Sequence, residues 1–292
     1  IDSIKELIFI QFDFIDADIL SYTFDILLDN VMRIYFTHIM PRRSYKNTFI
    51  RKKPNLQTID KKIHKIKLKP QPEQRTKEWY EFRHNLITAS SAWKTLDSQS
   101  YINSIIFEKC KPYDDSKFDS VNLNTPFHWG TKYEPISVQL YEHMYNTKIE
   151  DFGCIKHDLY NFLGASPDGI NTDRNSELYG RMLEIKNIVN REINGIPKQE
   201  YWIQMQLQME VCHLNECDFL ETKFIEYENY NDFINDGSFK KTESNKHKGI
   251  FILFFHNGKP HYEYPPINIE EKSFDEWEQN IIEKNHQMQW IK

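Results

Sequence analysis

The chain has 292 residues, 39% hydrophobic and 14% aromatic, with a formal net charge of −6. That is enough apolar material for one substantial core with an appendage, or for two small domains. No apolar run approaches the roughly 20 residues that a membrane-spanning helix needs, and no basic-then-apolar leader opens the chain, so a soluble intracellular protein is expected. The first residue is Ile1 rather than Met, so a trimmed chain, from which a targeting segment could have been lost, is expected.

A negative total argues against a uniformly basic nucleic-acid surface, but the charge is segregated. Residues 1–40 carry Asp2, Glu6, Asp13, Asp16, Asp18, Asp25 and Asp29, whereas 42–77 hold thirteen Lys and Arg residues. The whole-chain figure is therefore a poor guide to partners. Cys110, Cys154, Cys212 and Cys217 form no CxxC pair and no zinc-finger spacing with a histidine. Free thiols are expected, and no iron-sulfur cluster.

In chain order, the first 40 residues read as helical, with Ile4, Leu7 and Ile8, then Leu20, Phe24, Leu27, Leu28 and Val31 recurring at three and four. From Pro41 to about Pro72 the chain turns polar, basic and Pro-punctuated, as a linker or an extended DNA-gripping arm would. Residues 1–70 are thus expected to form an N-terminal helical extension and basic linker, and 71–292 the main domain. That domain starts at "TKEWYEFRHNLITASSAWKTL", where Trp79, Phe82 and Leu86, then Ala89, Trp93 and Leu96, predict two helices broken around Ile87 to Ser90. "HWGTKYEPISVQLYEHMYN" predicts a helix with Ile136, Leu140 and Met144 on its apolar face and Glu134 in its first turn. Strands are expected at 149–156, 160–170 and 181–189, a helix at 198–213, strands in "DFLETKFIEY" and "HKGIFILFFHNGKPHYEYPP", and an amphipathic helix at 270–290. The order is that of an α/β (α+β) fold, a central mixed β-sheet flanked by helices.

The chemistry concentrates in "FLGASPDGI" and "RMLEIKN". The strand period of two puts Met182, Glu184 and Lys186 on one face and Leu183 and Ile185 on the other. If the first segment is an antiparallel strand joined through the polar 171–180 turn, Asp168 comes near Glu184. A charged pair in a greasy strand is costly without compensation. Two carboxylates and a backbone carbonyl make a hard oxygen site suited to Mg²⁺ or Mn²⁺, with Lys186 placed to orient a water or offset charge on a phosphate. Each piece alone has a bland reading: Glu and Lys two apart commonly mark a solvated sheet face, and Asp-Gly a turn. The scattered His128, His143, His157 and His213 read as surface or core residues. Trp202, Met205 and Met209 read as packing, while Gln204, Gln206 and Gln208 give their helix an unusual polar density.

Taken together, D-(x15)-E-x-K with apolar alternation resembles the PD-(D/E)XK nuclease superfamily, with "SPDG" supplying the Pro. More narrowly, "EWYEFRHNLITAS", "GTKYEPIS", "LGASPDG", "LEIKN" and "YWIQMQLQMEV" resemble, in order, the motifs of the YqaJ-like viral recombinase domain, the lambda-exonuclease family, over roughly residues 75–225. The resemblance implies a restriction-endonuclease-like core with Asp168, Glu184, Glu134 and the Ile185 carbonyl holding Mg²⁺ or Mn²⁺. It makes Lys186 the catalytic lysine, with Gln204 or Gln206 beside it. Arg83 and Ser90 match the positions that hold a 5'-terminal phosphate; "LITASS" departs from the family's Gly-rich bend, so the facing hydroxyl is Ser90 or Ser91. The implied activity is a metal-dependent 5'-to-3' exonuclease on double-stranded DNA ends, in viral recombination, repair or defence. The alternatives are an endonuclease or end-trimming enzyme of the same superfamily, and a DNA-binding recombination protein with little turnover. The same reading expects double-stranded DNA ends as partner, a single-strand annealing or helicase protein beside it, a homo-oligomer, no membrane, and location in the host cytoplasm or a viral factory.

Overall fold

Asn55 caps the first fully described helix, its side chain accepting from the Thr58 amide, and this cap opens a compact unit, Asn55–Lys292, that is separate from Ile1–Pro54. The structure is a computed structural model and describes residues 55–113, 122–256 and 259–292, with Ile26, Leu27 and Asn30, which are helical. The rest of the expected N-terminal helical extension, and the bases from Arg42 to Lys53, lie outside the described residues.

Helix α1 (Leu56–Lys67) corrects the expectation of a linker through Pro72. Ile63 and Ile66 are buried, and Ile66 belongs to the main apolar cluster with Phe152, Ile155, Ile170, Met182 and Val211. Its bases face acids: Lys65 and Lys69 meet Asp158 at 2.7 and 2.9 Å, and Lys67 meets Glu150 at 2.6 Å. Such exposed pairs add little each, so the two isoleucines hold the helix and the ion pairs choose its orientation. Polar, Lys-dense residues mask that apolar stripe at the level of composition.

Helix α2 (Lys77–His84), capped by Thr76, leads into strand β1 (Ile87–Thr88), a helical turn at Ala89–Ala92 and helix α3 (Gln99–Cys110). Helix α4 (Pro126–Tyr145) starts with Pro126 in the first turn, where no amide is needed, and Thr125 accepting from the His128 amide. Its buried stripe is Tyr133, Ser137 and Tyr141, one position off the expected Ile136–Leu140–Met144 face, and Met144 is exposed. The tyrosines bury their rings while their hydroxyls reach Glu226 and Asp218, and Ser137 bonds Asn187 and Thr222. Polar tips satisfied across the interface defeat a purely apolar periodicity.

Both expected strands at 149–156 and 160–170 are broken and shared between sheets. Strands β2 (Ile149–Glu150) and β5 (Gly169–Asn171) join β6 (Met182–Asn187) and β7 (Cys217–Thr222) in the order β2-β5-β6-β7, with β6 antiparallel to β5 and parallel to β7. Strands β3 (Ile155–Lys156) and β4 (Leu163–Ala165) join β1 instead. The switch falls on Ser166-Pro167-Asp168, where buried Pro167 has no amide to donate to a ladder. Helix α5 (Gln199–Cys212) makes the crossover from β6 to β7. A third sheet of β8 (Ile252–His256), β9 (Lys259–Glu263) and β10 (Gln289–Ile291) follows helix α6 (Tyr230–Asn235), and α7 (Glu271–Lys284) ends before β10, which lies where helix was expected.

The result is a mixed α/β fold with β6 between two helices. Leu183 and Ile185 pack with Tyr141 and Val138 of α4, while Met182 packs with Val211 and Cys212 of α5. Truncating Ile66 to Ala should cost about 3 kcal/mol, read as a lower urea midpoint for the whole chain, whereas a segment that only linked domains would leave the midpoint unchanged.

Candidate active site

Glu184 sits in the middle of β6 with no exposed surface. Its Oε1 takes the Lys186 ammonium in a close contact, and its Oε2 accepts from Gln208 Nε2 of α5 at 2.6 Å. Gln208 also reaches the Ser166 carbonyl at 3.4 Å, tying the sheet switch to the strand. Asp168, at that switch, accepts the Ile185 amide on Oδ2 at 2.7 Å. The pairing Gly169↔Leu183 carries Asp168 to a place opposite Glu184, so the expected convergence holds although the strand leading to it is split.

In an extended strand the amide and carbonyl of one residue point to the same side. The Ile185 carbonyl therefore faces the edge where β5 has ended, beside Asp168. Glu134 approaches from α4. Its Oε2 accepts from Arg75 Nη2 at 2.6 Å, and Arg75 adopts a left-handed backbone with φ of 67°, a conformation that costs a non-glycine residue about 1 kcal/mol. The helix carrying Glu134 is pinned to the end of β6. Asn187, next to Lys186, donates to the Gly130 carbonyl at 2.9 Å and accepts from Ser137 and Thr222 at 2.7 and 2.6 Å.

The three carboxylates feel one another. Burial raises Asp168 well above the usual carboxylate range, repulsion from Glu184 and Glu134 adds to it, and Lys186 opposes it. Glu134 is also raised by burial, against the pull of Arg75 and with repulsion from Asp151 and Glu184. Burial lowers the Lys186 ammonium, but Glu184 and Asp168 outweigh this and hold it above its ordinary range. One lysine and one arginine thus face three acids, and Gln208 Oε1 is a buried acceptor without a hydrogen-bond partner.

Among the described residues no three His, Cys, Asp or Glu side chains form a ready coordination group. The donors Asp168 and Glu184 and the Ile185 carbonyl nevertheless suit a hard divalent cation. Glu134 stands near but is engaged by Arg75.

A second cluster lies at the end of α2. The Arg83 guanidinium stacks 4.2 Å over the Trp79 ring and donates to Ser166 at 3.2 Å, Ser90 at 3.3 Å and Thr88 at 3.4 Å. Burial lowers its pKa, with Cys154, Tyr80 and Glu108 opposing. Of the two candidate serines, Ser90 is exposed and meets Arg83, whereas Ser91 donates to the Thr88 carbonyl at 3.1 Å. Ser166 links the two clusters, since its hydroxyl faces Arg83 and its carbonyl faces Gln208.

The glutamine assignment is corrected. Gln206 is exposed and faces a surface cleft with Lys62, Met209 and His213, away from Glu184. Gln204 is buried one turn from Gln208 on the same helical face, but it is Gln208 that bonds the carboxylate. The alternating glutamines signal a polar contact on this helix; choosing among them needs the helix rotation. Ser166, Thr88, Arg75 and Asn187 were missed as well, being ordinary polar residues until the fold gathers them.

Residues 78–215 match the YqaJ-like viral recombinase domain. "Uncharacterized protein R354" of Acanthamoeba polyphaga mimivirus is 32% identical over 287 residues, covering 85% of this chain and 49% of its own length, so the chain spans about half of that relative. Among solved structures, an alkaline exonuclease (LHK-Exo) from Laribacter hongkongensis is 28% identical over 51% of this chain and 74% of its own, with a TM-score of 0.40. LHK-Exo in complex with dAMP is 25% identical over 54% of this chain and 77% of its own, with a TM-score of 0.39.

The charge balance sets a pH test. A carboxyl whose folded pKa lies above its unfolded value binds more protons when folded, so its ionisation erodes stability as pH rises through the window between the two. With chelator present, Asp168→Asn should melt higher than the parent at pH 7, and the gap should close as pH falls toward about 4, the unfolded range of Asp. A gap that widens on acidification would reverse the assignment. Lys186→Ala, by leaving Glu184 buried without its cation, should cost about 3 kcal/mol in denaturant unfolding.

Proposed function

We propose, from the match of residues 78–215 to the YqaJ-like viral recombinase domain and from the carboxylate–lysine centre within them, that the protein is a metal-dependent deoxyribonuclease that shortens double-stranded DNA from its 5' ends. The observation that carries the reading is the adjacency of two unlike sites bridged by Ser166: an acidic centre built on Asp168 and Glu184, and an Arg83 cluster that meets it through Ser166, two residues before Asp168. The first suits hydrolysis of a phosphodiester, and the second suits a terminal phosphate.

Mg²⁺ or Mn²⁺, when bound, would polarise the scissile phosphoryl oxygen and make a bound water a nucleophile at neutral pH. Asp168, Glu184 and the Ile185 carbonyl are the donors for it, with Glu134 in reserve. Lys186 sits on the same strand face as Glu184, at the acidic centre. Lying against Glu184, it is placed to orient the attacking water or to offset charge gathering on the phosphate. Gln208 holds the Glu184 carboxylate in place through its hydrogen bond to Oε2.

Arg83 supplies forked donors to an anion, and Ser90 adds one hydroxyl from the exposed side. A terminal phosphate carries more negative charge than an internal diester, so the cluster favours ends. Among the described residues no carboxylate lies within hydrogen-bonding distance of this half-buried guanidinium, whose hydroxyl partners Ser166, Ser90 and Thr88 are neutral, which supports a phosphate site over a purely structural one.

DNA ends are the proposed substrate, and recombination or repair of viral DNA the proposed setting. An annealing or helicase partner and a homo-oligomer go with that proposal. The intact Asp168, Glu184 and Lys186 set favours turnover over a DNA-binding protein that merely shares the fold.

The test compares duplexes differing only in their 5' termini. With Mg²⁺, the 5'-phosphorylated duplex should be degraded faster than its 5'-hydroxyl twin, and Arg83→Ala should erase the difference while leaving internal cutting less affected. Equal rates for the parent protein would transfer the assignment to the end-trimming or endonuclease alternative, and no cleavage with either Mg²⁺ or Mn²⁺ would remove the nuclease reading.

A further inference from the structure

Arg75 stands at the rim of the acidic cluster, bonded to Glu134 alone of its three carboxylates. The chain between α1 and α2 is a strap tied at successive points. Gln71 donates to the Ile66 carbonyl at 2.9 Å and accepts the Gly153 amide at 3.1 Å. Gln74 donates to the Phe152 carbonyl at 2.9 Å and to Asp151 at 3.2 Å. At Gly153 the strap runs so close that a Cβ would stand 2.3 Å from the Pro72 carbonyl oxygen. Thr76 then donates to the Glu73 carbonyl and caps α2. Between these fixed points Arg75 takes its left-handed φ of 67° and delivers a guanidinium to Glu134.

Glu134 is thereby committed to a cation from its own chain while Asp168 and Glu184 converge without it. The pair is partly open to solvent, with the Arg75 side chain 38% and the Glu134 side chain 25% exposed, so an incoming anion can reach the guanidinium. Exchanging a carboxylate for a phosphate replaces one charge-assisted pair by another, and it frees a carboxylate beside the other two.

Resting on the metal-nuclease reading above, we infer that Arg75 is a positioning residue that latches Glu134 away from the metal in the free protein, and that a phosphate of the DNA backbone releases the latch by drawing Arg75 to itself. Metal and duplex then reinforce each other's binding by the same factor, as linkage requires. The device explains why the acidic centre is incomplete without DNA: the third carboxylate is held in reserve.

The test uses the full chain and two readouts that do not depend on turnover. In calorimetric titration with Mn²⁺ and no DNA, Arg75→Gln should bind the ion about tenfold more tightly than the parent, within the range usual for coupled sites. Arg75→Gly, which suits a left-handed backbone and guards against a folding defect in the first variant, should do the same, and Arg75→Lys should stay near the parent. In EDTA, where no cutting occurs, duplex binding by Arg75→Gln should lose about one unit of log–log salt slope, the share of one phosphate contact. Mn²⁺ bound no more tightly by both Arg75→Gln and Arg75→Gly, or an unchanged slope, overturns the latch. Asp168→Asn separates the two failures. If it abolishes Mn²⁺ binding while the Arg75 variants behave as the parent, only the latch fails; if it binds Mn²⁺ as the parent does, the metal-nuclease reading fails and the latch with it.

Discussion

A carboxylate with no exposed surface, Glu184, organises this molecule. Fully buried, it is tolerated because a lysine on its own strand and a glutamine from the crossover helix both reach it. Each compensating group brings a structural element with it. Lys186 requires the strand period of two that keeps it on the Glu184 face. Gln208 requires α5 to pack on that face, and its second bond fetches the Ser166–Asp168 switch. The interior is thus charged at its centre and apolar around it, with Leu183 and Ile185 packed on the far side against α4.

The same strand end also sets the distance to α4. Asn187, Ser137 and Thr222 close a polar triangle that joins helix and sheet, and Asn187 continues to the Gly130 carbonyl one turn before Glu134. Within an apolar interface such a network admits few sliding alternatives, because any shift strands its donors. Placement of the third carboxylate is therefore a property of packing between α4 and β6, not of residues 134 and 184 alone.

Outside this centre, basic side chains serve two ends. Lys65, Lys67 and Lys69 are neutralised by Asp158 and Glu150 and orient α1 on the sheets, so they are not all available to grip a duplex. Arg83, near the end of α2, and Arg75, just before its start, point at the hydroxyl cluster and at Glu134 respectively. A net charge of −6 coexists with this arrangement because Glu184 is buried, while surface acids such as Asp158 and Glu150 are paired with lysines.

Sequence alone determined the parts whose meaning is local. Strand alternation in "RMLEIKN" put Glu184 and Lys186 on one face, the span of fifteen residues left room for a hairpin that returns Asp168 to them, and the ordered motifs pointed to the same domain that residues 78–215 match. Only the tertiary structure decided what depends on rotation and breakage. The rotation of α5 selects Gln208 over Gln204 and Gln206; the rotation of α4 buries Tyr133, Ser137 and Tyr141 instead of its more apolar neighbours. Pro167 splits a strand between two sheets, and α1 condenses from what composition marks as a linker. The physical reason is common to all four. A local pattern records which side chains prefer burial, whereas a polar group can be buried wherever a distant partner satisfies it, and that partner exists only once the chain has folded.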